Sequence, residues 1–397
     1  MKLRIRLSYG GMIKFFLFSI IWYVEFCVRY FQYSNILLFL GGALGLFLIL
    51  DYFSTGKAML NGMPKAVYWF LTYEFYTIVI GAIVAPSISA HINQSIIMLE
   101  YTLPFLAVVY YAKTRKNVDF IVWNFAILYT LMCIIFLYRP IYYRNETLLG
   151  RLTFAADMNP NAFGICMATG AWSVLYLATK KKIPLIAALL ISAMQIYAIF
   201  LSGSRKGIIG ILIIIALWIL ICYIPNTGAG KWHIKLWKII LCAFGIYIAF
   251  IVLAPYYQGS SLAKRMGDLS SEASDGARSD MYIKGLEYFY RSPILGFGLQ
   301  GFRYFYGGYS HATLIEVPVT GGVVGTTLYL AFQISIVRQL CRRSTIGGME
   351  FIQKRMGMVL FSALLFYSVA MIHIYEISSL VYFATIIAAY SMTSNGE

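Results

Sequence analysis

Apolar runs long enough to cross a bilayer recur along this chain from near its start to near its end, and they leave it little choice of fold. A hydrocarbon layer of roughly 30 Å needs about 18 or more apolar residues in a helix. Twelve runs of that order occur, near 12–32, 34–53, 66–90, 93–112, 118–137, 160–179, 184–201, 207–224, 236–255, 312–337, 352–372 and 377–393. Hydrocarbon offers a backbone N–H or C=O no partner, so each run must satisfy its own groups, as an α-helix does. Hydrophobic residues make up 60% of the 397 and aromatic ones 17%, above the apolar share of a soluble domain. The first run is too long and too well embedded in the series for a cleaved signal peptide. The expectation is one all-α polytopic membrane domain over 1–397 with about twelve transmembrane helices.

Charge sets the orientation of such a bundle. With both termini in the cytoplasm, the inward connections are basic throughout and hold 20 of the 32 Lys and Arg, as the positive-inside rule requires. Attraction to anionic lipid head groups accounts for the same inward charge. Eleven of the remaining twelve fall in three outward segments, Tyr138–Asn159, Ser202–Gly207 and Pro255–Ser310; the twelfth, Arg29, lies in the first run. Outward cations run against the rule and need another explanation. Nucleic acid is excluded as a partner, because no basic soluble domain is present to offer it. The six cysteines lie in or beside apolar runs without CxxC spacing, which suits small core residues rather than metal ligands or disulfides. No His/Cys/Asp cluster has metal-ligand spacing, and no cofactor is expected.

Two outward loops, 138–159 and 255–311, stand out. The first holds Arg139, Arg144 and Arg151. The second holds Lys264, Arg265, Arg278, Lys284, Arg291 and Arg303. Within it, Ser279-Asp280 predicts a helix start, and Ile283, Leu286 and Tyr290 form one stripe while Lys284, Glu287 and Arg291 occupy another face. Ser292-Pro293 ends the pattern. An amphipathic helix over 279–291, lying near the outer interface, is expected. Arg278 then sits at its N-terminus, where open amides favour anions, and becomes a candidate phosphate ligand. Gly296-Phe-Gly-Leu-Gln-Gly301 matches the GxGxxG fingerprint but has neither the preceding strand nor the following apolar helix that a dinucleotide site needs. A tight turn, with or without amides open to an anion, is the expected structure.

Ser202-Gly-Ser-Arg-Lys-Gly207 reads either as a polar turn with snorkelling cations or as a pyrophosphate clamp with Arg205 at a helix start. His311 closes the second loop and opens the helix expected over 312–337. There it is either a structural interfacial residue or a general base, since a helix N-terminus disfavours imidazolium and a base must be neutral. Glu316 follows five positions on, about 140° around a regular helix, and does not face His311 unless Pro318 and Gly321-Gly322 distort the geometry. Inside the runs, Glu25 and Arg29 are spaced to pair, while Glu74 and Glu100 are second-tier candidates to line a cavity. The aromatics of Tyr304–Tyr309 divide between stacking on sugar rings and anchoring the loop at the interface.

Taken in order, these segments resemble the O-antigen ligase and Wzy polymerase superfamily of bacterial envelope polysaccharides. Gly150-Arg151 with Asn159-Pro-Asn161, Ser202-Gly-Ser-Arg205, Arg278 with Arg291-Ser-Pro-Ile-Leu-Gly-Phe-Gly298, and His311 with Glu316 and Gly321–Gly325 are similar to the family's successive motifs; the family's Asn after the histidine is Ala312 here. The resemblance implies a metal-independent, inverting membrane glycosyltransferase of the GT-C-like class in the bacterial plasma membrane. Its two outer loops would form the active-site face. It implies a glycan donor on undecaprenyl diphosphate and a saccharide hydroxyl as acceptor. Arg205 and Arg278 would hold the diphosphate, His311 would deprotonate or orient the acceptor, and Arg151, Arg291 and Glu316 would support substrate binding. A polymerase is favoured over a ligase, with a flippase as the alternative of another class. A chain-length regulator and a flippase of the same pathway are implied partners, alongside membrane lipid.

Overall fold

In the computed structural model, residues 8–28, 36–55, 62–115, 118–142, 151–155, 158–223, 272–342 and 349–391 are described. The chain is predominantly α-helical. In order it forms α1 (Tyr9–Trp22), running on as a π turn, α2 (Ile36–Thr55), α3 (Lys65–Val84), α4 (Ile88–Arg115) and α5 (Asp119–Tyr138). The strands β1 (Ile141–Tyr142) and β2 (Leu152–Thr153) then pair antiparallel. After them come α6 (Pro160–Thr179), α7 (Leu185–Ser202), α8 (Arg205–Leu217), α9 (Glu272–Arg291), α10 (Gly301–Tyr306), α11 (Thr313–Cys341), α12 (Met349–Tyr367) and α13 (Ile377–Ser391).

Seven of the described helices are long and apolar enough to cross a membrane: Tyr9–Phe26, Lys65–Val84, Ile88–Lys113, Asp119–Tyr138, Pro160–Thr179, Leu185–Ser202 and Thr313–Cys341. Each coincides with a predicted run, and the protein is a multi-pass membrane protein. The runs near 34–53 and 377–393 correspond to the shorter apolar helices Phe39–Ser54 and Ile377–Tyr390. The run near 236–255, together with Arg29, Arg144, Gly150, His233, Cys242, Lys264 and Arg265, lies outside the described residues. One predicted run was too long. The stretch 66–90 breaks after Val84, because Ala85 precedes Pro86 and takes an extended conformation (ψ 130°), as proline imposes on its predecessor.

The chain divides into two compact units, one of Met1–Ile121, Gly276–Glu350 and Leu364–Glu397, the other of Val122–Asp275 and Phe351–Ala363. In the first, α3 is held by aromatic rings of two neighbouring helices: Phe70 lies 4.7 Å from Phe105 of α4 and 5.3 Å from Phe332 of α11, and Tyr73 lies 5.4 Å from Tyr329, also of α11. Three carboxylates buried there are paired. Thr102 donates to Glu74 at 2.5 Å, Tyr110 donates to Asp51 at 2.7 Å, and Ser378 donates to Glu25. In the second unit, α6 is almost wholly buried. Its glycines let neighbours approach closely: a Cβ on Gly207 would stand 2.9 Å from the Cα of Gly164. Small residues serve this purpose where lipid removes the hydrophobic drive between helices.

Candidate functional site

The structure resolves the glycine motif as the repair of a broken helix. Within α11, Pro318 has no N–H, and Gly322 leaves the helical region (φ 59°, ψ −158°). A regular helix would bond the amides of Val323 and Val324 to the carbonyls of Val319 and Thr320. Here those carbonyls instead accept from Phe297 at 2.8 Å and Gly298 at 2.9 Å, while Val323 donates to the carbonyl of Pro293 at 2.7 Å and Val324 to that of Ile294 at 3.4 Å. The segment 293–298 thus replaces two missing helical bonds with four exchanged ones. Gly296 and Gly298 supply the positive φ values, 73° and 72°, that the turn requires. The next amide, Leu299, donates to Nδ1 of the buried His91 at 3.1 Å. With these amides occupied, the open anion cradle considered from sequence is not formed, and the GxGxxG match is a turn.

His311 stands immediately before this broken helix. The first helical residue is Thr313, with Ala312 as N-cap, so His311 lies one position outside the helix it was expected to begin. It is exposed, and its backbone is left-handed (φ 55°), a conformation that costs a non-glycine residue about 1–2 kcal/mol. Its neighbours on both sides are pinned. The Ser310 hydroxyl donates to Glu316 at 2.7 Å and contacts the carbonyl of Ala312 at 3.1 Å. Thr313 donates its amide to the carbonyls of Ser368 at 2.8 Å and Met371 at 2.9 Å.

Glu316 is completely buried, at 0% exposure, and both its oxygens are engaged. Tyr375, in the turn His373–Tyr375, donates to the second oxygen at 3.1 Å. Glu316 therefore reaches back to the loop through Ser310.

The helix expected over 279–291 is α9, and it begins seven residues earlier, at Glu272. Arg278 is its seventh residue, so the argument from open N-terminal amides does not apply to it. One face of α9 packs inward, with Tyr288 at 5.8 Å from Phe302 and 5.3 Å from Phe305, and Tyr282 donating to the carbonyl of Val369 at 2.8 Å. The predicted apolar stripe faces away from this contact: Ile283 is 60% and Tyr290 74% exposed.

On the third face Glu287 accepts from Lys284 at 2.9 Å and from Arg291. The Lys284 hydrogen bond, then the one from Arg291, holds the Glu287 carboxyl below its usual range. The same bond to Glu287 raises the Lys284 ammonium. Arg303 lies over the Tyr309 ring at 4.7 Å and donates to its hydroxyl at 2.7 Å. Of the Tyr304–Tyr309 aromatics, Phe305 and Tyr306 pack against the core of this unit, whereas Tyr304 and Tyr309 are exposed.

Arg151 and Arg205 belong to the other unit. Gly203 (φ 63°) ends α7, and Ser204 caps α8 by accepting from Gly207 at 3.1 Å. Arg205 is the first residue of α8 and half-buried. Arg151 is 5% exposed and donates to Asn161 Oδ1 at 3.3 Å, the atom that Ser204 also approaches at 3.5 Å. Asn161 thus ties Arg151 to the turn before Arg205. Its place in Asn159-Pro-Asn161 was the sequence signal for it, but not for this bridge. Among the described residues, no group of three or more His, Cys, Asp or Glu is arranged to hold a metal ion.

The family model described as O-Antigen ligase (Wzy_C) matches residues 187–330. No curated protein matches the chain. The matched stretch holds the Ser202–Gly207 turn, α9, the helix-repair segment, His311, Glu316 and the break at Gly322. Arg151 lies outside it. The match supports a role in glycan assembly. Over residues 187–330, then, this membrane protein is similar to the O-antigen ligase family, which supports its resemblance to the O-antigen ligase and Wzy superfamily.

Proposed function

We propose that the protein is a polysaccharide polymerase of the bacterial plasma membrane. It transfers a glycan from undecaprenyl diphosphate to a saccharide hydroxyl on the outer face. The observation that carries the reading is the backbone at His311. A left-handed non-glycine residue persists only where its surroundings over-determine it, and such residues gather at functional sites. Here Ser310, Glu316 and Thr313 hold it on both sides while the imidazole stays exposed.

In the proposed step the acceptor hydroxyl attacks the anomeric carbon, the carbon–oxygen bond to the diphosphate breaks with inversion, and His311 takes the hydroxyl proton. Arg205 and Arg278 neutralise the departing diphosphate, whose oxygens suit the bidentate guanidinium. Arg151 and Arg291 support phosphate or glycan. Glu316, buried with both oxygens engaged, is assigned to holding the loop rather than touching substrate. The exposed Ile283, Leu286 and Tyr290 suit a helix resting on the membrane interface. A second reading, transfer to a lipid core, is favoured by the matched family being an O-antigen ligase.

Purified protein in proteoliposomes with undecaprenyl-diphosphate repeat units tests these readings. Longer chains support the polymerase, transfer to a lipid core the ligase, and transbilayer movement alone a flippase. His311→Ala is expected to abolish transfer and leave the protein folded; full activity in that variant refutes the base.

A further inference from the structure

The hydrogen bonds around His311 continue into a residue that none of the motifs contains. Tyr375 lies beyond the family match, 59 positions from Glu316. Its hydroxyl donates to Glu316 Oε1 at 3.1 Å and accepts from the amide of Gln300 at 3.4 Å. Its ring meets the edge of Tyr309 with centroids 6.4 Å apart. The turn that carries it is fixed to the other side of His311, since His373 donates its amide to Thr313 Oγ1 at 3.0 Å. Gln300 is in turn bonded to Gln94 of α4 at 2.6 Å.

Tyr375 therefore closes a loop of bonds through Glu316 and Ser310 to the residue beside His311, with the Gln300 amide fixing the direction in which its own proton points. Burial, and then the Glu316 carboxyl, hold the phenol well above its ordinary range, so it remains a donor at any working pH.

We infer that Tyr375 is a positioning residue for the transfer reaction: bonded to Glu316, it locks the left-handed backbone at His311 and so aims the imidazole at the acceptor hydroxyl. The inference rests on His311 being the base. It gives the last membrane-proximal turn a part in a site whose recognisable motifs end before it.

The test is Tyr375→Phe in the full-length protein in lipid nanodiscs, which keeps the ring against Tyr309 and removes only the hydroxyl. Losing one hydrogen bond should lower kcat roughly tenfold, which corresponds to about 1.4 kcal/mol. KM for the lipid-linked donor should stay within about twofold, since the diphosphate-binding arginines are untouched. Amide exchange at residues 309–313 should quicken while that of α3 is unchanged.

A kcat within twofold of wild type, or unchanged exchange at 309–313, overturns the inference. If His311→Ala alone keeps full activity, the base assignment and the inferred aiming role fall together. The exchange measurement then tells whether Tyr375 anchors the loop all the same.

Discussion

Two glycines with nearly the same backbone separate the cost of conformation from the cost of space. Gly307 (φ 82°) has open space where a Cβ would go, with nothing within 4 Å. Gly298 (φ 72°) does not: its Cβ would lie 2.9 Å from the Cα of Gly81, 3.0 Å from the Gly81 carbonyl oxygen and 3.1 Å from the His91 ring. Alanine at either position meets the left-handed penalty, about 1–2 kcal/mol. At Gly298 the first two contacts are backbone of α3, which cannot rotate away, so overpacking adds about 1–3 kcal/mol.

Gly307→Ala is therefore expected to lose about 1 kcal/mol and Gly298→Ala about 3 kcal/mol. Both variants keep every backbone donor, so the difference isolates the close approach of the turn to α3. Thermal or denaturant unfolding in nanodiscs, followed by intrinsic tryptophan fluorescence, measures it, and Gly298→Ala should melt several degrees below Gly307→Ala. Equal losses would refute the claim that the turn is packed backbone to backbone against α3, and with it the account of why a glycine stands there.

Two further outcomes follow from single side chains. Ser204→Ala removes the cap accepted from Gly207 and should cost α8 about 1 kcal/mol; the same variant should weaken donor binding if Arg205 clamps the diphosphate, measured as a rise in KM, and an unchanged KM would separate the cap from the clamp. His373 is fully buried, its Nε2 bonded to the carbonyl of Leu364 at 2.8 Å and its Nδ1 facing the Ser379 hydroxyl at 3.0 Å, and burial lowers it from 6.5 to about 4. Between those values the unfolded chain binds the proton and the folded one does not, so stability falls as pH drops through that window, by about 3 kcal/mol in total. Replacing His373 with Asn should flatten the stability profile from pH 6.5 to 4; an unaltered slope would mean that other groups set it.

The spans were legible because apolar length is a local property, written in consecutive residues. So was the outward stripe of α9, which repeats at three and four residues. Its start was not: Ser, Asp, Gly and Ala over 274–277 look like loop, and nothing local marks Glu272 as the first turn. The Tyr304–Tyr309 aromatics were legible as a cluster, but which of them faces inward depends on Tyr288 and Phe302. Pro318 and Gly321-Gly322 signalled a distortion, yet the partners that repair it lie at 293–298 and bond through the backbone, leaving no side-chain pattern. Tyr375 was invisible for a related reason. A tyrosine in a membrane protein rich in them becomes informative only when its hydroxyl is seen on Glu316.

The exchange of bonds at Gly322 also bears on how the protein assembles. Until the segment 293–298 docks, the carbonyls of Val319 and Thr320 and the amides of Val323 and Val324 have no partners, in a low-dielectric setting that charges several kcal/mol for each. The segment is thus a built-in splint, and α11 cannot finish as a membrane helix while that stretch is loose. Opening at the splint would strip those four bonds from the helix, so Phe297 and Gly298 must stay seated at the break for α11 to stay whole.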